Sequence, residues 1–453
     1  MRFGLYIGAL VFGLALGVGS FNAFTAPTPT AAAQTLTPEQ RAKLQAEWDQ
    51  LKAEIAQLEG ALVGLRAQRN TLTGDVTALD AQIKKAQKEI QQRGITITTL
   101  GSEINQKTAT ITTLEQRLVA GRESLAKLMR QKNEQELQPL AILALSSEDL
   151  SGFFSDIENI DTINGRLQDL FAELRGVKTE TQKERAALDA KKNAELDARH
   201  EVVVKQTQIK ENQTEKQKLL DVTKKDEKAY QAVLAERQKR AQEIRNALFE
   251  LRDSAGISFQ SALEYATEAE RSTGVRAAFI LGILRQESNL GTNVGQCLLV
   301  DPATGAGKGK NTSTPIKNVM KPERDVPPFL DLTARLGISP YAQVVSCPQS
   351  IGYGGAMGPS QFIASTWKMY EARITSATGA SVADPWKPAH AVMATGLYLK
   401  DLGAHKQTYS AEREAAARYY AGGNWAKSGL GYAASVLSFA TKYQTDIDFL
   451  KDN

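Results

Sequence analysis

The sequence is short of the residues on which many chemistries depend. There are two cysteines, Cys297 and Cys347, and three histidines, His200, His390 and His405, in 453 residues. With no CxxC pair and no Cys/His cluster, nothing argues for a zinc site. Charge of one sign is lacking too. Lys and Arg number 55 against 51 Asp and Glu, and the surplus of +4 makes no case for nucleic-acid binding. Proline is almost missing from residues 39 to 254, where Pro139 stands alone. Ten of the fourteen prolines, ten of the twelve tyrosines and three of the four tryptophans follow residue 254. The middle therefore reads as a helical rod and the end as a globular domain.

The long hydrophobic run is at the N-terminus. After Arg2 comes "FGLYIGALVFGLALGVGSF", then "APTPTAAAQ", with Ala31-x-Ala33 as a cleavage pattern. Residues 1–33 are a cleaved signal peptide or, since the run is about as long as a bilayer is thick, an uncleaved anchor. Both readings export the rest of the chain. An oxidising compartment favours a Cys297–Cys347 disulfide over two unpaired thiols.

A coiled-coil hairpin is expected over 38–253. Steps of four and three from Leu51 pass through Leu58, Leu65, Leu72, Leu79, Ala86, Leu100, Ile111 and Leu114 to Leu128. This heptad register holds for about eleven heptads and predicts one helix of about 115 Å. Arg69, Arg93, Lys107 and Gly121 are its interruptions. A second helix with a weaker seam (Leu188, Val203, Leu220, Val233, Ile244) follows from about Leu167. Similar arm lengths favour an antiparallel hairpin over a parallel dimer. The tip, at about 137–175, is cut by Pro139, Gly152 and Gly165 and reads as two or three short helices. Its Phe153, Phe154, Ile157 and Ile160 either seal the tip or dock a partner.

The tip stretch "LAILALSSEDLSGFFSDIENIDTINGRLQDLF" and the charged helix after it resemble the coiled-coil domain of PcsB- and EnvC-type cell-wall hydrolase regulators. That resemblance implies docking on an FtsEX-like membrane ABC-transporter complex.

From residue 254 to 453 short amphipathic helices alternate with Gly/Pro loops, and no strand run is convincing. "GKGKNTST" at 307–314 is basic, but it lacks the order of a P-loop and reads as a solvated loop. No GxSxG turn accompanies the histidines. "AAFILGILRQESNLG" (277–291) is different. Ala278, Phe279, Ile280, Ile283 and Leu284 form an apolar stripe on which Glu287 also falls. Burial there would raise the pKa of a carboxylate, as a glycosidase acid requires. A structural glutamate paired with Arg285 is the plainer reading of that residue alone.

Three blocks in order, "RQESNLG", "GAMGPSQFIASTW" and "RYYAGG", resemble the lysozyme-like lytic transglycosylases of the soluble and membrane-bound type B groups. The resemblance implies an all-α protein: a long antiparallel coiled-coil hairpin with a helical tip, followed by a lysozyme-like helical domain. It implies that Glu287 is the catalytic acid, and that Ser288, Gly355, Met357, Gly358, Gln361, Tyr419 and Tyr420 are substrate-side residues. Ala364 and Tyr420 depart from the family's usual proline and asparagine. Asp384 reads as a helix cap and Trp367 as core, so no second carboxylate has a clear motif. The implied reaction breaks the MurNAc–GlcNAc bond of peptidoglycan and closes a 1,6-anhydro ring, without metal or cofactor. A lysozyme-type hydrolase and a non-catalytic activator are the alternatives. The insert between Glu287 and Gly355, with both cysteines, is expected to form a small subdomain by the cleft.

Overall fold

The computed structural model describes residues 36–65, 72–136, 150–221, 257–349 and 352–452, with 232, 235 and 239 singly. Its first half is a rod of antiparallel helices. Helix α1 (Pro38–Leu65) and helix α2 (Leu72–Glu136) are separate, so the single helix predicted over 51–128 does not form. The chain reverses between them, and α1 lies back on α2. Glu59 pairs with Lys85 at 2.9 Å, Glu54 with Lys88 at 2.8 Å, and the Leu36 N–H donates to Ser102 Oγ at 2.7 Å. The sequence around the reversal is a poor helix former. Gly60, Gly64 and Gly74 flank the polar run Arg66–Thr71, each glycine costing a helix about 1 kcal/mol relative to alanine. The heptad pattern continues on both sides because both helices need an apolar seam.

Helix α3 (Leu150–Asp221) runs antiparallel to α2. The pairs Lys107–Glu184 (2.8 Å), Glu103–Lys191 (2.6 Å) and Glu89–Lys205 (2.7 Å) step in opposite directions along the two helices. Such pairs, being partly exposed, contribute at most about 1 kcal/mol each. The seam sets the pairing instead. It buries Ile83, Ala86, Leu100, Ile111 and Leu114 of α2 and Leu167, Val177, Leu188, Ala198 and Leu219 of α3. The α3 seam passes through Ala198 and Leu219, while the predicted Val203 and Leu220 are exposed. Gly152 and Gly165 do not break α3, so from Leu150 onward one long helix replaces the expected short ones. Residues 137–149 of the predicted tip lie outside the described residues. Phe153, Phe154, Ile157 and Ile160 sit in the first turns of α3, and their side chains also lie outside what the structure describes. Among the described residues, no helix is long and apolar enough to cross a membrane; the run at 3–21 is not among them.

The globular half is wrapped around one helix. Helices α4 (Phe259–Thr273) and α5 (Ala277–Ser288) come first, followed by strands β1 (Cys297–Asp301), β2 (Ala306–Gly309) and β3 (Pro315–Ile316). Then come α6 (Val326–Arg335), β4 (Ala356–Met357), β5 (Phe362–Ile363), α7 (Ala364–Thr378), α8 (Pro388–Asp401) and α9 (Tyr409–Ala421). The short α10 (Trp425–Ser428) and the long α11 (Leu430–Asp452) close the domain. Residues 277 to 284 of α5 are all buried, so α5 has no solvated face and serves as the central helix rather than an amphipathic one. The strands, which the sequence does not announce, are short. Through Val345, bonded to Cys297 on one side and Met357 on the other, they join edge to edge in the order β3-β2-β1-Val345-β4-β5. The Cys297–Cys347 disulfide crosses between β1 and the Val345 segment.

Rod and domain touch at one seat. Asp197 of α3 accepts the Ser410 N–H at 2.6 Å and the Ser410 hydroxyl at 2.9 Å, so a rod carboxylate caps the N-terminus of α9. One turn on, His200 stacks on Tyr409 with ring centroids 3.9 Å apart. Burial and nearby Arg276 hold the His200 imidazole below its ordinary pKa. Asp197→Ala is expected to cost the full chain about 1 kcal/mol, the usual worth of a lost helix cap. It should also speed amide exchange in the first turn of α9 while leaving α5 protected, which exchange mass spectrometry would read.

Candidate active site

Glu287 stands in the last turn of α5, after eight buried residues have carried the helix through the core. The helix stops at once. Asn289, Leu290 and Gly291 all have left-handed backbone, with φ of 52°, 55° and 80°. Asn289 is a residue that tolerates this conformation, and Gly291 pays no Cβ penalty. The turn frees Ser288 to bridge: its hydroxyl accepts the Gly291 N–H (2.8 Å) and donates to the Pro359 carbonyl (2.6 Å). Ser288 is 1% exposed. It ties Glu287 to the "GPSQ" block and has no free face for a sugar, which corrects its expected place on the substrate side.

The second block is held by its own backbone. Gly355 and Gly358 have φ of 93° and 60°. A Cβ on Gly358 would meet the Pro385 carbonyl oxygen at 1.9 Å. Met357 is buried, a core residue under the block. Gln361, at φ 53°, donates from its amide to the Gly358 carbonyl at 2.8 Å and fixes the turn. The third block reaches it from α9. The Tyr419 hydroxyl donates to the Ser360 carbonyl at 2.7 Å. Two hydrogen bonds, from Ser288 and from Tyr419, thus join three blocks that are far apart in sequence. Tyr420 is exposed and stacks on Tyr432, with ring centroids 5.1 Å apart and planes at 13°. Trp367 is buried, as expected for core.

Tyr432 of α11 is the residue that sequence reasoning missed. Its hydroxyl donates to Glu287 Oε1. α11 reaches the carboxylate because Gly282 lets it cross α5 closely: a Cβ there would meet the Val436 carbonyl at 2.7 Å. A signal existed. Tyr432 lies one turn before buried Val436 and next to buried Ala433, so the inner stripe of α11 begins with an aromatic that carries a hydroxyl.

Electrostatically, Glu287 is pushed up to about 7 by burial, with the Tyr432 hydrogen bond pulling the other way. Burial and the neighbouring Glu287 raise the Tyr419 and Tyr432 phenols well above 10.0, so both are neutral donors. No other carboxylate of the described residues acts on Glu287. Asp384 accepts the Trp386 N–H at 2.9 Å and so closes a turn before α8 instead of capping the helix, whose N-cap residue is Lys387. Asp325 is buried between Arg324 and Ser365. Glu412 is bound to Arg276, at the opposite end of α5 from Glu287. The site is a single protonatable carboxyl flanked by tyrosine hydroxyls.

Residues 191–435 match the family described as Transglycosylase SLT domain, a match that begins within α3. The soluble lytic transglycosylase SltB1 from Pseudomonas aeruginosa is 22% identical, over 35% of this chain and 47% of that one, with a TM-score of 0.25. This chain therefore spans about half the length of that protein. The Escherichia coli lytic transglycosylase Slt35, solved in complex with bulgecin A, is 16% identical over 46% of this chain and 79% of its own, with a TM-score of 0.28. No curated protein matches.

The pKa of Glu287 has a consequence for stability. Folding raises it, so the neutral carboxyl is the form the fold favours. That contribution is complete below the unfolded value near 4.5 and is lost as pH rises through about 7. Glu287→Gln, which cannot ionise, is expected to melt a few degrees above the parent at pH 8.5 and level with it at pH 4. Calorimetry at the two pH values measures the difference.

Proposed function

The chain belongs to the Transglycosylase SLT family, and from that premise we propose that it is a lytic transglycosylase that cuts the glycan strands of peptidoglycan. The carrying observation is the solitary carboxyl. Hydrolysis by the usual pair of carboxylates needs a second one to activate water or attack the sugar. Glu287 has no such partner among the described residues, and its acidity sits near neutrality. A single group that is half protonated near pH 7 serves well as acid and then as base.

In this reading protonated Glu287 gives its proton to the oxygen between N-acetylmuramic acid and N-acetylglucosamine. The muramic acetamido oxygen stabilises the positive centre left at C1. Ionised Glu287 then takes the proton from the C6 hydroxyl, whose oxygen closes on C1. The bond from C1 to the leaving oxygen is replaced by one to O6, and Glu287 ends as it began. Tyr432 positions the carboxyl and supports its ionised form through its hydrogen bond. Exposed Tyr420 offers a ring to the glycan, and Gly355, Gly358 and Gln361 shape the wall beside it.

The finer proposals concern the rod. Residues 38–253 are the regulatory coiled coil and 254–453 the catalytic domain. The PcsB- and EnvC-like tip would dock on an FtsEX-like membrane complex of cell division, with Phe153, Phe154, Ile157 and Ile160 as the contact. The seat at Asp197 supplies a physical link between rod and enzyme. Peptidoglycan as substrate and the Cys297–Cys347 bridge support a cell-envelope location, reached through an N-terminal segment acting as signal peptide or anchor.

Mass spectrometry of digested sacculi tests the reaction. Anhydro-muropeptides are expected from the full chain and none from Glu287→Gln; reducing ends would instead mean a hydrolase. The pH profile supplies a second check. Activity should fall as pH rises through about 7, where the acid is lost. Tyr432→Phe removes the hydrogen bond that lowers the Glu287 pKa, so its alkaline limb should move to higher pH while kcat drops about tenfold or more.

A further inference from the structure

The "GKGKNTST" stretch does not behave as the solvated loop its composition indicates. Residues 306–309 form β2, paired with β1 and β3. Glycine and lysine alternate there for a reason. Gly307 and Gly309 are buried; a Cβ on Gly307 would meet the Leu298 carbonyl at 2.1 Å, and one on Gly309 the Thr312 hydroxyl at 2.2 Å. Lys308 alternates with the two buried glycines and faces outward, and Lys310, in the turn that follows β2, is exposed as well. Ile316, the last residue of β3, packs against the core, and Lys317, in the turn after it, is exposed. Lys308 pairs with Pro315, two residues before Lys317 in the chain.

Among the described residues none of these three lysines has an ion pair, although ion pairs recur along the rod and around the domain. The one acid between residues 296 and 322, Asp301, is engaged by the Ala303 N–H and the Thr304 hydroxyl. With Lys321, the stretch carries four lysines against one aspartate, a surplus of three in a chain whose whole surplus is +4. The sheet that carries this charge runs through Val345 into β4, within the cleft-lining block. The Gly354 N–H donates to the Asn318 carbonyl at 3.0 Å, which brings the segment of exposed Tyr353 to the turn that holds Lys317.

We propose that Lys308, Lys310 and Lys317, with Tyr353, form a binding surface for the carboxylate-bearing peptide stems of the glycan strand held in the cleft. The inference rests on the peptidoglycan reading above and adds to it the part of the polymer that is recognised. Lysine ammoniums on flexible stems suit carboxylates that vary in position, where a fixed bidentate site would call for arginine. Lys308 on β2 and Lys310 and Lys317 in the turns at the ends of β2 and β3 gather the three charges at one edge of the sheet, and the sheet's continuity through Val345 with β4 links that edge to the block beside Glu287.

The test is binding, in the full chain carrying Glu287→Gln so that no cleavage intervenes. Isolated sacculi are compared with glycan stripped of its stems by an amidase. Changing Lys308, Lys310 and Lys317 together to Gln is expected to weaken binding to stem-bearing sacculi about tenfold, as three exposed ion pairs would. The loss should vanish on stripped glycan and shrink at 0.5 M salt. Changing the same three to Arg keeps the charge and should restore binding, which separates charge from any effect on folding. Equal loss on both substrates, no loss on either, or failure of the Arg variant to restore binding overturns the proposal. So does binding to vesicles of anionic phospholipid that depends on the same lysines, since the surface would then belong to a membrane. The enzymatic reading fails separately, through the absence of anhydro products from the active chain.

Discussion

A carboxyl at the end of a helix that has no solvated face is the constraint around which the globular half is arranged. Every position of α5 from Ala277 to Leu284 is buried, so the helix must be surrounded, and α4, α8 and α11 pack against it. Surrounding it removes water from Glu287, and removing water moves its acidity toward neutrality. Packing and acid strength are therefore one property here. Gly282 shows the coupling at a single residue. Its missing side chain lets α11 approach, and that approach delivers the Tyr432 hydroxyl which moderates the shift.

The opposite end of α5 is anchored as firmly. Arg276, its N-cap residue, binds both oxygens of Glu412 on α9 and the side chain of Gln444 on α11. Buried Glu412 has no other charge to pair with in that cluster, so losing Arg276 would strand it. One helix thus has its start fixed by a buried ion pair and its end fixed by Ser288, with α9 and α11 held at both ends. The geometry at Glu287 is supported along the whole length of the helices, not by the loops next to it.

Legibility in the sequence follows how local each cause is. The three blocks around Glu287 were readable because each makes a tight backbone feature from its own residues: a left-handed stop at Asn289 to Gly291, a glycine turn at 355–358, a tyrosine pair closing α9. The hairpin of α2 and α3 was readable because its seam repeats. Tyr432 was not, since its role depends on a helix crossing set by Gly282, 150 positions earlier in the chain. The reversal before α2 was hidden because a heptad pattern is satisfied equally by a straight helix and by one folded back on itself. Asp197 and His200 were hidden among many rod charges, and only the seat distinguishes them. The strands of the insert escaped because two- to five-residue strands, rich in glycine, carry too little alternation to stand out.

The seat also fixes a distance. From Leu150 to Asp197, α3 runs without a break, about 70 Å at 1.5 Å per residue. The domain is joined to the rod near the N-terminal ends of α5 and α9, while Glu287 and Tyr420 lie at the other ends. The Glu287 end of the domain therefore faces away from its seat on the rod. The rod is thus a spacer of fixed length: lengthening both arms by one heptad would move the start of α3 about 10 Å further from Glu287 without touching a residue of the site.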